Sequence, residues 1–216
     1  MRIDAHLHTS KYSNCGKQTP DELLRAARKA GLNGLIVTDH SRGNRVWFTE
    51  ELNSFKQHAE DNGLVLFSGV EVGCIDGFDY LVYGSLDFLT SENHSNEKYL
   101  EPETLIDMAH REGCFVAIAH PYRRPDDVVP PRVYDLALDG VEIKSYNMST
   151  AIQQDRAMAL AETMDCCAIA GSDAHIQARV GGYGMELEHW VTEEQELIEA
   201  LKDGKYRIFE QASNAV

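Results

Sequence analysis

The chain has 216 residues, 43% of them hydrophobic, with a formal net charge of −15 and five cysteines. That length suits one barrel-sized core and is short for two independent domains, so residues 1–216 read as a single domain. The acidic balance argues against broad, non-specific binding to nucleic acid or to anionic membranes, and no apolar stretch approaches a membrane span. The N-terminus leads into a strand without a basic, apolar leader, and the odd number of cysteines, adjacent Cys166 and Cys167 included, suits small core residues in a reducing compartment. The chain therefore reads as cytoplasmic, with no disulfide framework.

The first predicted element is the extended segment Asp4-Ala5-His6-Leu7-His8-Thr9. Side chains alternate across a strand, so His6 and His8 share one face and aim two imidazoles at one point, as a metal ion requires. The same pair also fits a wet strand face, and a metal needs ligands from elsewhere. Thr19-Pro20-Asp21-Glu22 is a capping-box sequence with proline at the first helical position; it opens a helix that runs through Leu23 and Leu24 to Ala30 and stops at Gly31. The apolar run Gly34 to Val37 ends in Thr38-Asp39-His40. A second helix is predicted over Thr49 to Asn62 with Gly63, and the run Leu64 to Val70 closes at Glu71. Tyr80-Leu81-Val82-Tyr83 reads as an additional extended segment near Glu71, which breaks a strict alternation of strand and helix. Ser91 to Glu101 is a polar connection. Pro102 to Glu112 with Gly113 is a third helix, Phe115 to Ala119 leads to His120, and Asp126 to Arg132 is a loop or a short helix start. Glu142 lies within Gly140 to Lys144, a helix covers Thr150 to Met164, Ala168 to Ser172 leads to Asp173 and His175, and a last helix covers Thr192 to Asp203 with Gly204.

Short apolar runs ending in His, Asp or Glu thus recur, with helical patterns between several of them. Parallel strands are buried and apolar, and an α/β barrel builds its active site from groups at their carboxyl ends. Of nine histidines, five fall at such ends; His58, His110 and His189 do not, and read as structural or surface residues.

These motifs resemble the PHP (polymerase and histidinol phosphatase) domain family of metal-dependent phosphoesterases. The resemblance rests on Asp4-Ala-His6-Leu-His8-Thr9, Thr19-Pro20, Gly31 to His40 ending in Thr38-Asp39-His40, Gly69-Val-Glu71, Ala119-His120-Pro121, Gly140-Val-Glu142 and Gly171-Ser-Asp173-Ala-His175, in that order along most of the chain. It implies a distorted seven-stranded β/α (TIM-like) barrel with two or three divalent metals, zinc, manganese or iron, at the carboxyl ends of its strands. Carried over residue by residue, His6, His8, Glu71 and Asp173 hold the first metal, Glu71 bridges to a second held by His120, and His40 and His175 hold a third. Asp4 and Asp39 are expected to orient imidazoles by accepting their other N–H.

Two positions depart from the family pattern. The third site usually takes an Asp or His from the loop after the His-x-His, where this chain has Tyr12-Ser13-Asn14-Cys15-Gly16. Asn14 is a poor neutral ligand, and Cys15 could offer a thiolate or be a free loop thiol. At the second site Asp79 stands where a histidine is common, and His94 is the competing candidate.

Two cations sharing an oxygen ionise water near neutrality, which gives a nucleophile without an activated serine or cysteine. The expected activity is therefore hydrolysis of phosphate esters, monoesters before diesters, on a small phosphorylated metabolite or a nucleotide. Glu71, Asp173 and His175 are the expected catalytic groups, and Arg123, Arg124 and Arg179 the candidates for phosphate contact. The alternatives are a metal-binding structural or regulatory module without turnover, and a metallohydrolase acting on a non-phosphate bond.

Overall fold

The computed structural model describes residues 1–41, 49–90, 99–124 and 126–211. β1 (Arg2–Leu7), β2 (Gly34–Val37) and β4 (Val65–Gly73) are parallel neighbours, and the two-residue β3 (His40–Ser41) also pairs with β4. β5 (Asp79–Tyr83) is antiparallel to β4 on one side and to β6 (Phe115–Ile118) on the other. β6, β7 (Gly140–Lys144) and β8 (Cys167–Ala170) are parallel again. The sheet curls until Ala174, just past β8, bridges to Leu7 at the end of β1. β1, β2, β4, β5, β6, β7 and β8 thus form the wall of a nearly closed barrel, as the family resemblance implies. Three strands are additional: β3, and the antiparallel pair β9 (Tyr183–Leu187) and β10 (Tyr206–Glu210), of which β9 adds to β1 at Arg2 and Ile3.

The helices follow their sequence signals. α1 (Pro20–Lys29) starts with the predicted capping box: the Thr19 hydroxyl accepts from the Glu22 N–H, and the Glu22 carboxylate accepts from the Thr19 N–H. Gly31 follows with φ 72°, the left-handed turn that lets the chain leave the helix at little steric cost. α2 (Thr49–Asp61), α4 (Pro102–Arg111), α5 (Ala151–Met164) and α6 (Glu194–Lys202) match the other four expectations to within one or two residues at each end. α3 (Asp87–Thr90) is a single turn, and a short 3-10 turn at Pro131–Asp135 occupies the end of the proline-containing segment. Among the described residues no helix is long and apolar enough to cross a membrane. All five cysteines are free thiols.

One expectation is corrected here. Glu71 does not terminate its strand: β4 continues to Gly73, because its second half is paired with the antiparallel β5 from Gly69↔Tyr83 to Gly73↔Asp79. The extended segment at Tyr80–Tyr83 is therefore the barrel wall itself between β4 and β6.

Ile36, Phe67, Leu81, Tyr83, Phe115 and Ile169 fill the barrel interior, while Leu23, Leu24, Leu35, Val37 and Leu105 belong to the layer between sheet and helices. Between Asp4 and Leu7 the pairing of β1 advances three residues against two on β2, since Asp4 faces Leu35 and Leu7 faces Val37. The extra residue makes a bulge that keeps Ile3 and Ala5 in the interior core yet also turns His6 and His8 inward at the upper end.

Gly171 is required by the closure. A Cβ there would lie 2.4 Å from His6 Cβ and 2.5 Å from His6 N. Gly171→Ala must push the end of β8 away from β1 and is expected to cost on the order of 1–3 kcal/mol. Gly63, which has a positive φ of 73° but nothing within 4 Å of its would-be Cβ, should lose only about 1 kcal/mol on the same change. Urea unfolding of both variants checks the difference, and disturbed His6 and His8 resonances are expected in Gly171→Ala alone.

Candidate metal centre

Six of the residues singled out in the sequence converge at the mouth of the barrel. His6, His8, Glu71, His120 and Asp173 are each no more than 5% exposed, and His40 lies beside them, partly exposed. The Glu71 carboxylate sits in the middle. Its Oε2 lies 3.4 Å from His6 Nε2, 3.2 Å from His8 Nε2 and 3.0 Å from His40 Nδ1, while its Oε1 lies 3.0 Å from His120 Nε2. Asp173 Oδ1 approaches the same two nitrogens from the other side, 3.5 Å from His6 Nε2 and 3.0 Å from His8 Nε2. His175, half-buried, lies beside His8 with its ring tilted by 31° and the ring centroids 4.4 Å apart.

The strands place these groups, and two of them pay in backbone strain. His120 and Asp173 both have positive φ, 29° and 54°, in a region where a non-glycine residue costs about 1–3 kcal/mol. Each is held there by a specific bond: the His120 N–H donates to Glu142 Oε2 at 2.8 Å, and the Asp173 N–H donates to the His6 carbonyl at 2.7 Å.

Charge within the cluster is self-compensating. Burial alone would lower the His8 pKa, but Asp173 and Glu71 outweigh it and raise it to about 9. Burial likewise opposes the charged form of His6, yet Asp173, Glu142 and Glu71 hold it well above its usual value. Burial would raise Glu71, and His6 with the neighbouring imidazoles drives it well below the usual carboxylate range instead. His40 moves the other way, down to about 4, chiefly by burial.

The residues fit a divalent metal. Glu71 Oε2 and Asp173 Oδ1 are buried without a hydrogen-bond partner among the described residues, although ring nitrogens stand close to both. His6 Nε2 and His8 Nε2 lie 3.1 Å apart. Metal bonds of about 2.1 Å give ligand edges of about 3.0–3.4 Å, which is the spacing found here. Four groups of possible ligand atoms among the described residues lie within 4.8 Å of one another: His6, His8 and Glu71; Glu71, Asp79 and His120; His8, His40 and His175; and His6, His120 and Glu142. Asp79, the replacement for a histidine, is thus brought to His120 and Glu71. Its competitor His94 lies outside the described residues.

Other expected roles change in the folded chain. Asp4 accepts from the backbone N–H groups of His6, Ser172 and Gly181 rather than from an imidazole, and so ties β1 to the chain beyond β8. Asp39 accepts from the Thr9 N–H and hydroxyl. The groups that face the outer imidazole nitrogens are Glu142 at His6 Nδ1 (2.8 Å), Ser13 Oγ at His8 Nδ1 (3.1 Å) and the Asp173 carbonyl at His175 Nδ1 (3.0 Å). In the loop after the His-x-His, the buried Ser13 faces the site and also accepts from the His40 N–H at 2.9 Å, whereas Asn14 is exposed. Cys15 joins none of the ligand groups among the described residues. Asn147, which the sequence reading passed over, donates to Asp173 Oδ2; it follows β7 closely, and its only sequence signal was that position.

The three arginines lie on the rim and are exposed. The Arg123 N–H closes a turn on the His120 carbonyl at 2.9 Å, the Arg124 N–H bonds Asp127 at 2.7 Å, and the Arg179 guanidinium stands 4.9 Å from the centre of the Tyr146 ring. His58 pairs with Asp21 and His110 with Asp139, both remote from the cluster.

Comparison with known proteins agrees with this arrangement. Residues 151–206 match a family model described as PHP-associated. The uncharacterized protein MJ1587 of Methanocaldococcus jannaschii is 30% identical over 161 residues, 66% of this chain and 81% of that protein. A candidate metal-dependent phosphoesterase of Bifidobacterium adolescentis has the same fold at a TM-score of 0.64, with 19% identity, 92% of this chain and 95% of that chain covered. A two-domain protein of Bacteroides vulgatus containing a predicted PHP-like metal-dependent phosphoesterase reaches a TM-score of 0.72 at 17% identity, with 97% of this chain and 64% of that chain covered. The chain belongs to the PHP family. Its PHP barrel carries the strands in the order that the sequence motifs gave.

A PHP centre of this kind must lose imidazole protons when it takes up an ion. With His8 raised to about 9, metal affinity should rise with pH up to that value, about tenfold per pH unit for each proton displaced. Titration calorimetry at several pH values, in buffers of different ionisation enthalpy, checks this. Saturating zinc or manganese should also raise the melting temperature, since free ion at 100 times Kd adds about 2.7 kcal/mol per site.

Proposed function

We propose that this protein is a metal-dependent phosphoesterase that hydrolyses phosphoric esters, with small phosphorylated metabolites or nucleotides as substrates and monoesters preferred to diesters. The observation that carries the reading is the Glu71 carboxylate, with one oxygen turned to His6, His8 and His40 and the other to His120. A carboxylate so placed suits two cations held side by side, with His6, His8 and Asp173 on one flank, and Asp79 and His120 on the other; His40 and His175, which stand beside His8, would hold a third ion. Zinc, manganese and iron all suit this mixture of imidazole and carboxylate. Such ions, when bound, supply a nucleophilic water at neutral pH and neutralise charge on the phosphoryl oxygens.

The chain's own groups do the rest. Glu71 and Asp173 keep two negative oxygens in a buried pocket, so that cations are required there and water is limited. Asn147 donates to Asp173 Oδ2 and leaves Oδ1 facing His6 Nε2 and His8 Nε2. Asp173 is therefore the group placed to hold the nucleophile's proton. His175, anchored through Nδ1 on the Asp173 carbonyl, keeps its other nitrogen available at the half-exposed mouth, where a leaving oxygen would need a proton. Arg123, Arg124 and Arg179 on the rim add positive charge for a phosphate. A monoester dianion gains more from this concentration of cations than a diester monoanion does, which supports the stated preference. The ten strands form one sheet around this one site, which supports reading residues 1–216 as one domain.

Glu71→Gln is expected to leave the barrel folded, by circular dichroism, while it lowers metal content and reduces turnover of a phosphomonoester at least ~100-fold. A screen of phosphorylated metabolites, nucleotides and carboxylic esters with added manganese or zinc provides the substrate for that assay. Metal uptake without turnover of any phosphate ester would favour a binding module, and cleavage of the carboxylic esters alone would replace the phosphoesterase reading.

A further inference from the structure

Glu142 lies in the middle of β7, behind the cluster of imidazoles. It is wholly buried on β7 and faces two donors: His6 Nδ1 lies 2.8 Å from Oε1, and the His120 N–H lies 2.8 Å from Oε2. We infer that Glu142 is a positioning residue that fixes the His6 ring and the His120 backbone together and so sets the spacing of the two halves of the metal centre. The inference rests on reading the cluster as a metal centre.

The geometry separates this role from that of a ligand. Glu142 meets His6 on the Nδ1 side of the ring, whereas Glu71 and Asp173 meet it on the Nε2 side. A proton kept on Nδ1 by Glu142 leaves the Nε2 lone pair pointing at His8, Glu71 and Asp173, and an imidazole with a charged acceptor behind it is a better donor to a cation. Both oxygens of Glu142 are already used, so an ion bound by Glu142 would have to displace one of these bonds. The second bond has its own purpose. His120 has φ 29°, and a strained residue persists only where its surroundings hold it; the bond from its N–H to a buried carboxylate is a strong charge-assisted restraint. His6 lies on β1 and His120 follows β6, and they face different oxygens of the Glu71 carboxylate. One side chain therefore places ligands of both flanks.

The role requires two acceptors and no donor. Glutamine has nearly the same shape but only one acceptor, so in Glu142→Gln the amide nitrogen must face either the His6 Nδ1–H or the His120 N–H, donor against donor. Zinc affinity, measured by competition with a chromophoric chelator, is expected to fall 10- to 100-fold in the variant. The second readout is the nitrogen NMR spectrum of zinc-loaded wild-type protein labelled at histidine, where His6 should carry its proton on Nδ1 and bind through Nε2. That readout needs no variant, so it decides the question even if Glu142→Gln does not fold, and a side chain that merely filled space would not fix the tautomer. A folded variant with wild-type zinc affinity, or a zinc-loaded His6 with Nδ1 as the coordinating atom, would overturn the inference while leaving the metal centre standing. Wild-type protein that takes up no zinc, manganese or iron would overturn the metal reading itself and this role with it.

Discussion

A carboxylate buried among four imidazoles is the constraint on which the rest of this barrel depends. Glu71 is 1% exposed and has His6, His8, His40 and His120 around it within 3.4 Å. Left alone, such a charge is costly to bury, and removing one partner of a buried pair typically costs about 3–5 kcal/mol. Without a metal the cluster balances itself by taking protons onto His6 and His8. With metal, the same negative charge becomes affinity. The arrangement therefore has little value as a stabilising device and makes sense as a site prepared for cations.

The supporting structure is consistent with that priority. Asp4 uses both oxygens to bind β1 to Ser172 and Gly181, and burial raises its pKa to about 6 despite those bonds. Gln18 donates to the carbonyls of His8 and Ala174, joining the end of β1 to the segment past β8. Gly171 allows that segment to touch His6 directly. Polar groups are thus concentrated where the barrel closes, at the seam that carries His6, His8, Asp173 and His175. The ring packing of Phe67, Tyr83 and Phe115 belongs to the interior core.

Much of this was legible in the sequence because the signals were local. The Thr19 cap, the terminating glycines and the apolar runs of β2, β6 and β8 each depend on a few adjacent residues, and they fixed the order of the elements. The ligand residues were visible for the same reason: charged or imidazole side chains next to buried strands have few structural uses. What escaped was set by pairing between distant segments. β9 is short and follows directly on Gly181 and Gly182, and β10 alternates only weakly, so neither shows a strand pattern until β1 and β9 offer partners. The bulge at Ala5 and His6 is a mismatch between two strands and has no signature in either alone. The roles of Ser13, Glu142 and Asn147 depend on which imidazole or carboxylate each one faces, and that is decided by the closed barrel. Asp4 and Asp39 were recognised as important from their position beside the ligands, but only the fold shows that they hold backbone.

The central claim is that Glu71 lies between two cations. Crystals of the protein grown with manganese or zinc, measured on either side of the metal absorption edge, would show where ions bind. The account predicts anomalous peaks on both sides of the Glu71 carboxylate, one ligated by His6, His8 and Asp173, the other by His120 and Asp79. A single ion that does not touch Glu71, or strong metal density elsewhere with this cluster empty, would contradict it.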